Sequence, residues 1–277
     1  MIKRILVGVG TSQTAQTVAD YAVELGRQFE AELLGVAVTD PLRLEWTGPR
    51  PIGMGVEAVT TELREDRLRR ATADVASAKA IFSERCRAEN VAHGFSEQVG
   101  DPFEIVSQLV RYQDMCVFGL RGLFEHDIVP EPRDALERLV ADGVRPILAV
   151  GEEYRPVRKV LVAYSGSLES AKTFKHFVLS GLYADATVRV VNFGSKPATA
   201  LGLLDHAAAY FRSHGRTVDT DHVDGDPQQE LVRYATAWGA DLIVAGNSAK
   251  NLLMRRLFGE TALMLLRECA LPLYLSQ

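Results

Sequence analysis

Cysteine is almost missing from this chain, and the three that occur stand far apart. Cys86, Cys116 and Cys269 make no paired or metal-ligand spacing, which excludes a disulfide framework and a zinc ribbon. Cys116 and Cys269 lie in apolar runs and read as small buried hydrophobes. A reducing, cytoplasmic compartment is the simplest setting for such usage. No apolar run approaches the roughly 18 residues of a membrane-spanning helix. The opening Met1-Ile2-Lys3-Arg4-Ile5-Leu6-Val7 passes into Gly and Thr after a few apolar positions, so it reads as a buried strand and not as a signal peptide. Basic excess is also lacking. Lys and Arg number 31 against 36 Asp and Glu, a net charge of −5, which is the wrong balance for a nucleic-acid surface. The six histidines (His93, His126, His176, His206, His214, His222) show no metal spacing and no nucleophile signature beside them. No metal ligand and no catalytic residue is therefore assigned, and neither nucleic acid nor membrane is expected as a partner.

What the chain does have is an internal repeat. Its 277 residues suit two domains of roughly 130–150 each. Lys3-Arg4-Ile5-Leu6-Val7-Gly8-Val9 is echoed by Arg158-Lys159-Val160-Leu161-Val162-Ala163-Tyr164. Three further echoes follow in the same order: Gly100-Asp101-Pro102 with Gly225-Asp226-Pro227, Asp114-Met115-Cys116-Val117-Phe118-Gly119 with Asp241-Leu242-Ile243-Val244-Ala245-Gly246, and Arg145-Pro146-Ile147-Leu148-Ala149-Val150 with Leu271-Pro272-Leu273-Tyr274-Leu275. In each Gly-Asp-Pro a capping Asp precedes a Pro at the first helical position, a strong helix start. The first strands are offset by 155 positions (Arg4 to Lys159) and the Gly-Asp-Pro turns by only 125. The first copy thus carries surplus residues, expected as a Pro/Gly-marked loop over 41–61 and a longer following helix. The copies divide near Gly151–Pro156, giving domains 1–152 and 157–277.

Within each copy, unbroken apolar runs alternate with amphipathic stretches, the pattern of parallel strands covered by helices on both faces. Strands are expected near 2–9, 32–38, 95–99, 115–118 and 146–150, then near 158–164, 186–192, 217–223, 241–245 and 272–276. Helices are expected near 13–29, 62–89, 102–112 and 132–142, then near 168–180, 199–214, 227–238 and 256–269. The fold class is α/β: two tandem, doubly wound, parallel five-stranded sheets of Rossmann-like kind. Ligands bind such sheets beyond the carboxyl ends of the strands, where the strand order reverses.

That places attention on the second copy, where Gly246-Asn247-Ser248-Ala249 is followed by nine residues and then Gly259-Glu260-Thr261. A turn ending at a helix start offers free backbone N–H groups to a phosphate chain, and Lys250, Arg255 and Arg256 lie in the same loop. The plainer reading is a helix-capping loop with solvated cations. Ser165-Gly166-Ser167 lacks the Gly-x-Ser-x-Gly setting of a nucleophile, and capping by Ser explains it. Arg64, Arg67, Arg69 and Arg70 are interleaved with Glu62, Glu65 and Asp66 on one helix and read as a solvated face.

The Gly246 loop, the Gly-Asp-Pro turns and the order of elements resemble the universal stress protein family, in its tandem two-domain subgroup. The resemblance implies an adenine nucleotide alpha hydrolase-like fold and a cytoplasmic role in stress response. It also implies ATP or a related nucleotide in the second copy, with Mg²⁺ only alongside that nucleotide. The residues it points to are Ser165, Gly166, Val190, Gly246, Asn247, Ala249, Lys250, Gly259, Glu260 and Thr261. Departures are visible. Ala249 stands for the family's second glycine, Glu260 for a Ser/Thr, and Ser165 for the Asp that meets the nucleoside. In the first copy Gly10 takes that Asp position, Pro132 stands in place of the glycine after nine intervening residues from Gly122, and Glu125, Asp127 and Glu131 make the loop acidic. The resemblance further implies an internal pseudo-dimer joined through 146–150 and 272–276, and it leaves a homodimer and a protein partner open. The alternative is a binding adaptor of the same fold that uses no nucleotide. A slow ATPase is a third reading, for which Glu260 or Asp224 could hold a metal but no catalytic arrangement stands out.

Overall fold

A computed structural model describes residues 1–10, 12–40, 56–120, 146–194, 196–246 and 260–276. It divides into two compact units, Lys3–Ala135 and Leu136–Gln277, the latter together with Met1–Ile2.

In the first unit the chain runs through β1 (Arg4–Gly8), α1 (Ser12–Phe29), β2 (Glu32–Thr39), α2 (Val56–Ala88), β3 (His93–Val99), α3 (Pro102–Leu109), a short 3₁₀ turn and β4 (Met115–Gly119). The strands lie in the order β3-β2-β1-β4, and the pairs within it are parallel. Such pairing needs crossover helices, and the sequence supplies their apolar stripes. Ala15, Val18, Ala22 and Leu25 bury one side of α1, while Ala71, Val75, Ala78, Phe82 and Cys86 bury one side of α2. The two helices are clamped by Arg85, whose guanidinium reaches Asp20 at 2.6 Å and Glu89 at 2.9 Å. Helix α2 starts at Val56, earlier than expected, because no Gly or Pro interrupts the chain from Val56 to Ala88 and Gly55 is the last breaker. Residues 56–61 of the expected loop are therefore helical, and 41–55 lie outside the described residues. So does the helix expected over 132–142.

The second unit holds β5 (Ile147–Val150), β6 (Lys159–Ala163), α4 (Leu168–Ser180), β7 (Thr187–Phe193), α5 (Pro197–Ser213), β8 (Val218–Val223), α6 (Pro227–Trp238), β9 (Leu242–Gly246), α7 (Glu260–Glu268) and β10 (Leu273–Ser276). The strand order is β5-β10-β9-β6-β7-β8. β10, β9, β6, β7 and β8 run parallel. β5 alone is antiparallel, with Leu148 opposite Tyr274 and Ala149 opposite Leu273. The strand that closes the first copy in sequence is thus paired, in this unit, with the strand that closes the second. Under α4 and α5, the rings of Tyr164, Phe174, Phe177, Phe211 and Tyr274 interlock at centroid distances of 5.1–5.7 Å. On the opposite face α6 covers the sheet with Tyr234 and Trp238.

The echoes prove to be joints. Asp114, just before β4, accepts the backbone N–H groups of Lys3 and Arg4, and Asp241, just before β9, accepts those of Arg158 and Lys159. Each carboxylate ties the entry of the copy's first strand to its neighbour. Asp101 accepts from Phe103 and Glu104 at the start of α3, and Asp226 accepts from Gln228 at the start of α6. No helix among the described residues is long and apolar enough to cross a membrane.

Candidate functional site

The strand order of the second unit reverses between β6 and β9, and a cleft opens there at their carboxyl ends. Tyr164 and Ser165 after β6, Ser170 of α4, Phe193 closing β7, Pro227 opening α6 and Gly246 closing β9 wall it, around about 70 Å³ of free space. A cavity that holds a whole drug-sized ligand is commonly about 300–1,000 Å³. The described walls therefore leave room for one ring-sized group.

The turn from β6 into α4 is shaped by a glycine. Gly166 has φ +80, and a β-carbon on it would stand 2.6 Å from Leu203 of α5. Both the left-handed backbone and the close approach demand glycine. On either side of it three hydroxyls gather. Ser165 Oγ lies 3.1 Å from Ser167 Oγ and 3.2 Å from Ser170 Oγ, and the latter two are 3.1 Å apart. Ser167 caps α4 by accepting the Ser170 N–H at 3.1 Å, as its place before the helix predicts. Ser165 is exposed, whereas Ser170 is buried.

Gly246 closes the opposite wall. A β-carbon there would meet Ser170 Cα and Thr173 Oγ1, both at 2.9 Å, so α4 rests directly on this glycine. Thr173 Oγ1 also donates to the Ser276 carbonyl at 2.7 Å, which fixes the helix to β10. Asn192 is fully buried in β7. Its Nδ2 donates to the Tyr164 carbonyl at 2.8 Å, pinning the start of the turn, while its Oδ1 meets no partner among the described residues.

The third wall is built by the Gly-Asp-Pro turn. A β-carbon on Gly194 would stand 2.9 Å from the Gly225 carbonyl, so the turn seats on the end of β7 and brings Pro227 to the cleft. Behind Phe193 the ring of Tyr234 stands edge-on at 6.1 Å and 89°. Tyr234 is held in its turn: its hydroxyl donates to Asp221 and accepts from Arg189 at 3.3 Å. The Arg189 guanidinium lies 4.8 Å from the centre of the Trp238 ring. Burial, then the bond to Asp221, raises the Tyr234 pKa above its ordinary value, so the phenol stays protonated as the donor.

Of the residues named from sequence, Ser165 and Gly246 line this cleft, and Gly166 forms the turn beside it. Val190 is fully buried within β7, and Phe193, three residues on, is the β7 side chain at the cleft. Glu260 and Thr261 open α7, with their side chains outside the description. Asn247, Ala249, Lys250 and Gly259 lie outside the described residues, as do Arg121, Gly122 and Pro132 of the first copy. The sequence reading missed Ser170, Phe193 and Pro227. The repeated Gly-Asp-Pro was a signal for Pro227, legible as a helix start but silent about what the turn rests on.

Other groups take ordinary places. All three cysteines are free and buried, with Cys86 pushed up to about 12 by burial and Cys116 and Cys269 also raised by it. Asp66 pairs with Arg69 at 3.3 Å and Arg70 at 2.7 Å on the exposed side of α2. Among the described residues no three His, Cys, Asp or Glu side chains gather as a metal site.

The model of the universal stress protein family matches residues 1–123 and again 156–276. Universal stress protein Slr1230 of Synechocystis sp. (strain ATCC 27184 / PCC 6803 / Kazusa) is 24% identical over 161 residues, which is 57% of this chain and 56% of that protein. The match thus spans just over half the length of that relative. Among solved structures, a universal stress protein from Archaeoglobus fulgidus DSM 4304 superposes with a TM-score of 0.67 at 14% identity, covering 99% of this chain and 96% of the other. The functionally unknown protein PA1789 from Pseudomonas aeruginosa PAO1 gives 0.64 at 15% identity, with 99% and 92% covered.

Proposed function

This chain belongs to the universal stress protein family, and on that premise we propose that it is a cytoplasmic stress-response protein whose second copy holds ATP or a related nucleotide in the cleft between β6 and β9. The observation that carries the reading is the convergence of Ser165 and Gly246, 81 positions apart in sequence (165 and 246), on one cleft at the point where the strand order reverses. That is where an open α/β sheet takes its ligand. The carboxyl end of β9 at Gly246 is the natural place for phosphates, and Mg²⁺ would arrive with them. Within the second unit, β5 and β10, which close the two copies in sequence, pair with each other. Free, buried cysteines suit a reducing compartment.

Native mass spectrometry of freshly purified protein, followed by denaturation and identification of the released small molecule, tests this. One adenine nucleotide per chain is the expected result. A chain that comes out empty, and whose melting does not respond to millimolar ATP with Mg²⁺, overturns the nucleotide reading. The small cleft and the hydroxyl in place of a carboxylate at Ser165 favour the adaptor reading in that event.

A further inference from the structure

We propose that the outer ridge of α4 is a docking surface for a partner protein, and that what it receives is an amphipathic helix with acidic residues beside its apolar stripe. The inference is independent of the nucleotide reading, because the ridge faces away from the sheet and from the cleft wall at Ser170.

Leu168, Lys172, Lys175 and Leu179 follow one another at steps of four, three and four residues, which sets them in one line about 16 Å long on a helix. All four are exposed, and the two leucines keep 67% and 60% of their surface in solvent. The inner face of α4 is already complete without them, filled by Ser170, Thr173, Phe174, Phe177 and Val178. No acid lies on the ridge; Glu169 and His176 stand on its flank. Lys172 has no hydrogen-bond or ion-pair partner among the described residues, and Lys175 lies over the Tyr210 ring, 5.7 Å from its centre.

The internal repeat shows what such a face takes. Carried through α1 and α4, the offset of 155 pairs Ala15 with Ser170, Val18 with Thr173 and Ala22 with Phe177, all buried. Lys172, Lys175 and Leu179 then correspond to Thr17, Asp20 and Glu24. There the face is covered. Thr17 is buried, one carboxylate oxygen of Glu24 is closed off from solvent, and Asp20 is held by Arg85 of α2 at 2.6 Å. Helix α2 runs for 33 residues and packs along α1. Helix α5 has 17, and its backbone stands off from α4, with the Phe174, Tyr210 and Phe211 rings filling the interval. The second copy thus leaves bare a face whose counterpart meets a helix, and the sign of its charge is reversed. Where α2 brings Arg85 to an acid, the incoming helix must bring acids to Lys172 and Lys175. The leucines and the lysine stems supply the apolar contact, and the charges set the choice of partner. A chain of net charge −5 is repelled by an anionic bilayer, which favours a protein over a membrane.

The test is fluorescence anisotropy of two labelled helical peptides titrated with the full chain. The peptides share one leucine stripe, flanked by Glu in the first and by Lys in the second. The acidic peptide should bind at least about tenfold more tightly, and its advantage should shrink in high salt. Lys172→Glu with Lys175→Glu should reverse that preference. Leu168→Ser with Leu179→Ser should weaken the acidic peptide about tenfold or more. All four positions are exposed, so each variant should melt close to the parent. No binding of the acidic peptide, equal binding of both peptides, or binding that survives the leucine changes would each overturn the proposal. Sedimentation velocity and vesicle flotation test the other occupants. A dimer that dissociates on Leu168→Ser with Leu179→Ser would give the ridge to a second copy of this chain. Capture by phosphatidylglycerol vesicles that is lost on Lys172→Glu with Lys175→Glu would give it to a lipid surface. Either result overturns the partner helix.

Discussion

Gly246 begins the turn that the sequence offers to a phosphate, and its surroundings give it another duty: α4 lies on it at a distance no side chain permits. Gly246→Ala should therefore force α4 away from the end of β9 and cost about 1–3 kcal/mol as an overpacking change, read as a lower urea midpoint of the ligand-free protein. An unchanged midpoint would show that the helix gives way freely. Loss of ligand in such a variant says little about ligand contact, which is why Phe193 and Ser165 are the better probes. His176 shows how a single titrating group can set a pH response. Its Nδ1 lies 3.0 Å from Ser276 Oγ and 3.2 Å from the Tyr274 hydroxyl, and burial lowers its pKa below the ordinary value. The unfolded chain takes up a proton at about 6.5, while the folded chain resists until a lower pH. Stability from this group is thus intact above that value and declines as pH falls through it, levelling off below the folded pKa. His176→Gln should flatten that part of the profile, so urea midpoints from pH 8 to pH 5 should fall less steeply than the parent's. Equal slopes would exclude His176 as the cause.

β10 is flanked on both sides, by β5 and by β9, although it follows both in sequence. Leu148 is fully buried opposite Tyr274, and proline is poorly tolerated within a paired strand. Leu148→Pro is expected to strip amide-exchange protection from Leu273 and Leu275, whose N–H groups face β5, while leaving β7 and β8 protected. Retained protection in β10 would mean that β9 alone holds it. The edge strands are treated differently. On β3, Glu97 pairs with Lys79 at 2.7 Å beside the Phe95 ring. On β8, Asp219 and Asp221 engage Arg189 and Tyr234. Charges turned onto the faces of edge strands discourage pairing with other chains. The strands were legible in the sequence because residues buried on both faces leave unbroken apolar runs, as Met115–Gly119 and Leu242–Gly246 do. The start of α2 is legible only beyond Thr61 because the run of Pro and Gly ending at Gly55 marks a loop. The β-branched Val56, Val59, Thr60 and Thr61 carry weak helix propensity, so their helical state comes from the absence of a breaker and from the rest of the helix.

The repeat was plain at the scale of the whole chain because joints such as Asp114 and Asp241 must recur wherever the same strand entry recurs. The cleft was only half legible. Ser165, Gly166 and Gly246 announce themselves as turn residues, but Phe193 reaches the site through the crossing of β7, Ser170 through the face of a helix, and Pro227 through a turn seated on Gly194; none of these relations has a local signature. The compact units supply a further expectation. A fragment of residues 146–277 retains β5 and should melt cooperatively at a higher temperature than one of 157–277, whose β10 would lie at an open edge. Equal melting of the two would show that β5 adds nothing. The position of β10 also has a consequence for biosynthesis. The chain leaves the ribosome from its amino end, so β5 and β9 are both made before the strand that fits between them. Until residues 273–276 emerge, each of those two buried strands has an unfilled side that a neighbouring nascent chain on the same messenger could occupy.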